Sequence, residues 1–67
     1  MQAGPRQRQI LDRLVLGQTD KQIAGELGIS ITTVRTYLVR LYRDNGFSNR
    51  TDAATSWLRV QALNDMG

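Results

Sequence analysis

An all-α fold of four helices is predicted by three features of the 67-residue chain. Apolar residues recur at helical spacing in four separate stretches. Capping residues stand just before three of them, at Thr19, Ser30 and Asn49, and glycines follow three of them, at Gly17, Gly28 and Gly46. The only proline, Pro5, sits where the first helix begins, where a missing N–H leaves no helical bond unmade. A chain this short makes one domain, spanning 1–67 with an ordered core expected at about 4–63, and its hydrophobic core is expected to be marginal.

The first helix is predicted from Pro5 to about Leu16, with Ile10, Leu11, Leu14 and Val15 as its apolar stripe. Arg6, Arg8, Asp12 and Arg13 fall away from that stripe as a solvated face, and Met1 to Gly4 is expected to fray. The second helix starts near Asp20, because Thr19 can accept from a free first-turn amide and Gln22 three residues on completes a capping box. Ile23, Ala24 and Leu27 form its buried side. Gly25 within it costs about 1 kcal/mol relative to Ala, a cost that a close helix crossing would explain. Gly28 supplies the left-handed residue that ends this helix, Ile29 packs back on it, and Ser30 caps the third helix.

A rotation of roughly 100° per residue sorts the third helix into two faces. Val34, Leu38 and Leu41 lie together, flanked by Ile31, Tyr37, Tyr42 and Asn45, and form its core side. The opposite arc carries Thr32, Arg35, Thr36, Val39, Arg40 and Arg43, with no acid before Asp44. After the turn at Asn45-Gly46, Phe47 is a core plug, and Asn49 with Asp52 in the first turn caps a fourth helix from about Arg50 to Ala62. Its apolar face comprises Ala53, Ala54, Trp57, Leu58 and Gln61, with Val60 pointing elsewhere and Asn64 to Gly67 fraying. Two readings fit that face. It can pack within the fold, or small residues beside an aromatic can serve a helix-to-helix dimer, which makes Ala53, Trp57, Leu58 and Gln61 candidate dimer contacts.

Composition limits the chemistry. Nine Lys+Arg against six Asp+Glu give a net charge of +3 and a pI near 10.2, a balance that favours a polyanionic partner. With no Cys and no His there is no disulfide framework, zinc-ligand set, thiol nucleophile or imidazole base, so neither enzyme activity nor a metal or cofactor is expected. No apolar run approaches the roughly 20 residues that cross a bilayer, and no leader pattern is present, so a soluble cytoplasmic protein without a membrane partner is expected.

A short helix, a turn containing Gly and a second helix with a basic outer face together make a helix-turn-helix, whose second helix reads the major groove of double-stranded DNA. The candidate DNA contacts are Lys21 in the first turn of helix two, then Thr32, Thr33, Arg35, Thr36, Val39, Arg40 and Arg43 on helix three, and Arg50. Arginines reach phosphates or guanines, whereas Thr36 and Val39 are too short for the backbone and can meet only base edges.

The residues Pro5-Arg6-Gln7-Arg8-Gln9-Ile10-Leu11, Gly17, Lys21-Gln22-Ile23-Ala24, Glu26-Leu27-Gly28-Ile29-Ser30, Thr33-Val34-Arg35 and Asn49-Arg50-Thr51-Asp52-Ala53 resemble the LuxR-type (GerE-like) DNA-binding domain of bacterial transcription regulators. The resemblance runs from about Gly4 to Leu63. It implies a third helix in the major groove, phosphate contacts from the second helix and flanking loops, and a homodimer through helix four. Members are commonly the output half of a longer regulator. Departures are visible at Gly4-Pro5-Arg6-Gln7, where the family usually has Thr-Pro and an acid, and at Ile31 and Thr32, where an acid and Lys are usual. Tyr37 stands where His is frequent. Arg35 and Thr36 match family positions that face DNA, Arg50 matches a basic one, and the charge often found at Val39 stands one place later at Arg40. Two other readings remain open at this level: a sigma-factor region-four-like helix-turn-helix, with RNA polymerase as partner, and a small helical module that binds another regulator.

Overall fold

The computed structural model describes residues 1–66 and forms four helices from them. They are α1 (Pro5–Val15), α2 (Asp20–Leu27), α3 (Ile31–Asn45) and α4 (Arg50–Met66). Each start has a local cause. Gly4 has no side chain to offer, so at α1 only the return half of a cap forms, with the Gly4 N–H donating to Gln7 Oε1 at 2.9 Å. At α2 both halves form: Gln22 N donates to Thr19 Oγ1 at 3.1 Å and Thr19 N to Gln22 Oε1 at 2.8 Å. Ser30 Oγ accepts from Thr33 N at 3.0 Å to open α3, and Asn49 Oδ1 accepts from Asp52 N at 2.9 Å to open α4. Gly28 and Gly46 close α2 and α3 at φ of 68° each, and Ile29 N and Phe47 N fold back onto Ala24 O and Tyr42 O at 3.0 and 2.9 Å. A side chain at either glycine would strain the backbone.

The helices assemble as two pairs, α1 on α4 and α2 on α3, with α1 also touching α3. Ile10, Leu11 and Leu14 of α1, Ile23 and Ala24 of α2, Val34, Leu38 and Leu41 of α3, and Ala53 of α4 make the buried core, and no polar residue among those described is buried with them. The predicted stripes of the first three helices are therefore the ones used. No described helix is long and apolar enough to cross a membrane.

Four expectations are corrected. The segment before α1 is tied down: Gln2 N donates to Asn45 Oδ1 at 2.7 Å and Asn45 Nδ2 donates to Gln2 O at 2.8 Å. Ala3 packs on the core, and its carbonyl accepts from Arg8 Nε at 3.1 Å. One Asn amide thus satisfies both backbone groups of Gln2, which the sequence alone gave no reason to pair. Second, α4 continues to Met66, because neither Gly nor Pro interrupts it after Arg50.

Third, the inner side of α4 is rotated from the expected one. Ala53 has no exposed surface and belongs to the core, so it is no dimer contact in this fold. Trp57 Nε1 donates to Asp12 Oδ1 at 2.7 Å and Gln61 Nε2 to the same oxygen at 3.2 Å, so both side chains face α1. Asp12 is exposed as expected, and its carboxylate also gives the indole N–H a partner. Val60 is half-buried, not turned away, while Leu58 is 49% exposed.

Fourth, no close helix crossing exists at Gly25: a Cβ built there meets nothing within 4 Å. Gly25 lies mid-helix and exposed, so its substitution probes helix propensity with little packing change. Gly25→Ala is expected to stabilise the fold by about 0.5–1 kcal/mol. In a thermal melt followed by circular dichroism that is a rise of several degrees, at roughly 4–8 °C per kcal/mol for a domain of this size. A lower midpoint would show that something requires a bare backbone at this point of α2.

Candidate nucleic-acid interface

Because Val34, Leu38 and Leu41 are buried, the opposite arc of α3 has to face outward. Thr32, Arg35, Thr36, Val39, Arg40 and Arg43 line one open groove along the helix, and all six are exposed. Val39 shows 60% of its surface in the middle of three arginines. The Thr36 hydroxyl donates to Thr32 O at 3.0 Å, one turn back, so its proton is used inside the helix while its methyl and oxygen lone pairs remain available. Arg43 lies 3.6 Å from its neighbour Asp44, and Arg40 has no ion pair among the described residues. Thr33 stands apart from this arc. It is half-buried, and its hydroxyl lies 2.9 Å from Ser30 Oγ, so its visible work is to start α3.

A second concavity opens at the end of the arc where α2 begins. Gly17 to Lys21, Ile31, Arg35 and Arg50 line it, which brings Lys21 and Arg50 beside the α3 surface. Two cations meet one carboxylate here. Asp20 places Oδ1 at 2.7 Å from Arg50 Nη1 and Oδ2 at 3.4 Å from Arg35 Nε. The Arg50 contact is an ion pair at close range, not a directed hydrogen bond to that oxygen. Arg50 Nη2 also donates to Gln18 O at 3.0 Å, which fastens the first residue of α4 to the loop ahead of α2. From the other side Glu26 accepts from Arg13 Nε at 2.8 Å and from Gln18 Nε2 at 3.0 Å.

Of the residues expected to contact DNA, the fold therefore brings Lys21, Thr32, Arg35, Thr36, Val39, Arg40, Arg43 and Arg50 onto one continuous side, with Thr33 tucked behind them. Asp20 and Gln18 also belong to this surface. In sequence Asp20 reads only as a first-turn acid, and its partners are 15 and 30 positions away.

The model of bacterial regulatory proteins of the luxR family matches residues 4–57. Over 58 residues the chain is 38% identical to a protein named "Probable transcriptional regulatory protein NarL" in each of two strains of Mycobacterium tuberculosis. The match covers 87% of this chain and 27% of each relative, so the chain spans about a quarter of their length. No solved structure gives a significant match.

The Asp20 and Arg50 pair also acts on Tyr42. Burial pushes the Tyr42 phenol above its ordinary value of about 10, Arg50 pulls it back down, and Asp20 adds to the rise. With the folded value raised, the unfolded chain gives up this proton first. The contribution is therefore fully present below about pH 10 and is lost as pH rises from there through the folded value. In a Tyr37→Phe background, where Tyr42 is the one tyrosine left, phenolate absorbance is expected to appear later than in a free tyrosine. Arg50→Ala should delay it further. A step at or below the ordinary value would refute the desolvated placement of Tyr42.

Proposed function

The chain belongs to the luxR family of bacterial regulatory proteins, and from that premise we propose that it binds double-stranded DNA sequence-specifically and regulates transcription, with the outer arc of α3 in the major groove. The observation that carries this reading is the arc itself: three arginines, two threonines and an exposed valine on the side of α3 opposite the core, with no acid among them. A solvated helix face normally mixes both signs of charge. A major groove about 12 Å wide admits a helix, and its base edges offer a partner to each residue type present.

In this docking Arg40 and Arg43 hold phosphates, Val39 packs on a thymine methyl, and Thr36 offers a methyl and an acceptor oxygen. Arg35 reaches a guanine. Lys21 and Arg50 meet the backbone at the α2 end of the arc, and Thr32 lies at the first turn of α3 with Thr33 supporting that turn through Ser30. A homodimer on paired half-sites fits the outer side of α4, where Leu58 stands beside Thr51, Ala54 and Thr55 next to Leu14 and Val15.

Fluorescence anisotropy across a salt series tests the electrostatic part. Lys21, Arg40, Arg43 and Arg50 are expected to give a slope of several units in log K against log salt, at about −0.9 per phosphate neutralised, and a flat response would remove the DNA reading. A library of single-base operator changes tests the docking. Val39→Ala and Thr36→Ala are each expected to alter the preferred base at one position by roughly 1–3 kcal/mol, whereas Arg40→Ala and Arg43→Ala lower affinity for all sequences alike. If Val39→Ala leaves every preference intact, α3 does not dock through this arc.

For the dimer, Leu58→Glu is the informative change, since Leu58 is half-exposed and outside the core. It is expected to weaken binding to paired half-sites about tenfold or more while leaving a single half-site unaffected, because only the first depends on both copies being held together. Equal binding of wild type and Leu58→Glu to paired sites would rule out this face.

A further inference from the structure

We propose that Asp20 is a positioning residue for base readout, which holds Arg35 by its Nε so that the two terminal nitrogens form an oriented fork for the O6 and N7 edge of a guanine. This rests on the DNA-binding reading above and adds to it a residue that touches no base. Arg35 Nε lies 3.4 Å from Asp20 Oδ2, and neither terminal nitrogen of Arg35 is bonded to any described residue. Its side chain is 68% exposed. Those two nitrogens are the pair that a bidentate guanine contact needs.

The tether is useful only if Asp20 is itself fixed, and it is. Its side chain is 21% exposed, and its other oxygen is held at 2.7 Å by Arg50 Nη1. Arg50 is anchored in turn on Gln18 O at 3.0 Å, and the Gln18 side chain is braced by Glu26, which Arg13 of α1 holds at 2.8 Å. A series of polar contacts therefore runs from α1 through the loop to the base-facing arginine. An arginine held in this way loses less rotamer freedom on binding than a free one. The same carboxylate sits at the rim of a surface meant for a polyanion and repels every phosphate alike. Asp20 thus lowers affinity for any duplex and raises the share of binding that depends on the base opposite Arg35.

A first-turn acid also stabilises α2 through the helix dipole, and the experiment separates the two roles. Asp20→Ala, Asp20→Asn, Arg35→Ala, Arg50→Ala and the Asp20→Ala/Arg35→Ala double variant are compared on the single-base operator library, with a thermal melt of each. Arg35→Ala is expected to erase a guanine preference at one half-site position. Asp20→Ala should weaken that same preference roughly two- to fivefold, the range of an exposed ion pair, and tighten binding to unrelated duplex. In the Arg35→Ala background it should change no base preference further. Arg50→Ala, which loosens Asp20 but leaves its bond to Arg35 in place, should lower binding to all sequences and weaken the guanine preference by less than the Asp20 variants do. If Asp20→Ala does not fold, Asp20→Asn carries the test, as it keeps the size and loses the charge. The proposal is overturned if Arg35→Ala erases the guanine preference and neither Asp20 variant weakens it, if Arg50→Ala weakens it as much as they do, or if Arg35→Ala leaves it in place. Absence of any sequence preference in the wild-type protein would instead strike the DNA-binding reading itself.

Discussion

Burial of Val34, Leu38 and Leu41 among the apolar side chains of α1 and α2 decides where every other residue of α3 points. A helix advances roughly 100° per residue, so fixing these three fixes the azimuth of Arg35, Thr36, Val39 and Arg40 with no further interaction needed. The alternative rotations are closed by chemistry. Turning α3 by one residue would drive Arg35 or Val39 inward and bring Val34 or Leu38 out, stranding a guanidinium in a core that holds no polar residue among those described. Only nine side chains are buried among the described residues, so each carries a large part of a small total. A core of this size tolerates few truncations, since one large-to-small change costs about 2–5 kcal/mol out of a total on the order of 5–15.

The corner between α2 and α3 then sets how far that arc stands out from the rest of the molecule. Gly28 turns the chain at a φ of 68°, Ile29 N bonds back to Ala24 O at 3.0 Å, and Ser30 takes the Thr33 amide at once. No flexible residue is left between the end of one helix and the start of the next. A corner built from backbone bonds and a single αL glycine holds α3 at one angle to α2 at little entropic cost on binding. It also explains why Thr33 is drawn away from the outer arc despite sitting beside Thr32: its hydroxyl and amide both face Ser30.

What could be read in the sequence follows sequence separation. The stripes of the first three helices, the caps at Thr19, Ser30 and Asn49, and the basic arc of α3 depend on residues three or four apart, and all stand where the pattern placed them. The inner side of helix four is only partly legible, at Ala53, Ala54, Trp57 and Gln61, because its apolar residues spread around the axis and leave Leu58 exposed and Val60 half-buried. The deciding partner, Asp12, lies 45 positions from Trp57. The clamp between Gln2 and Asn45 spans 43 positions, and Arg50 meets Gln18 across 32. No periodicity encodes such pairs, because they exist only after the helices have packed. That is also why the carboxylate at the centre of the arginines reads, in sequence, as a helix-start residue and nothing more.

The four arginines of this surface fall into two physical kinds. Arg35 and Arg50 are tied to Asp20, while Arg40 and Arg43 project from α3 with at most a 3.6 Å contact to a neighbouring acid. An exposed, unanchored guanidinium samples many rotamers and can follow a phosphate whose position shifts with sequence. That makes it a good source of affinity and a poor reporter of the base. An anchored one has fewer orientations, so a misplaced acceptor leaves its donors unpaired, and discrimination comes from that penalty. Arg50 can serve both ends at once. Two of its nitrogens hold Asp20 and Gln18, and its remaining donors have no partner among the described residues, in a concavity that Lys21 also lines. A chain with a net charge of only +3 cannot rely on charge in bulk. It has instead the placement of a few cations, two of them held by the fold before any partner arrives.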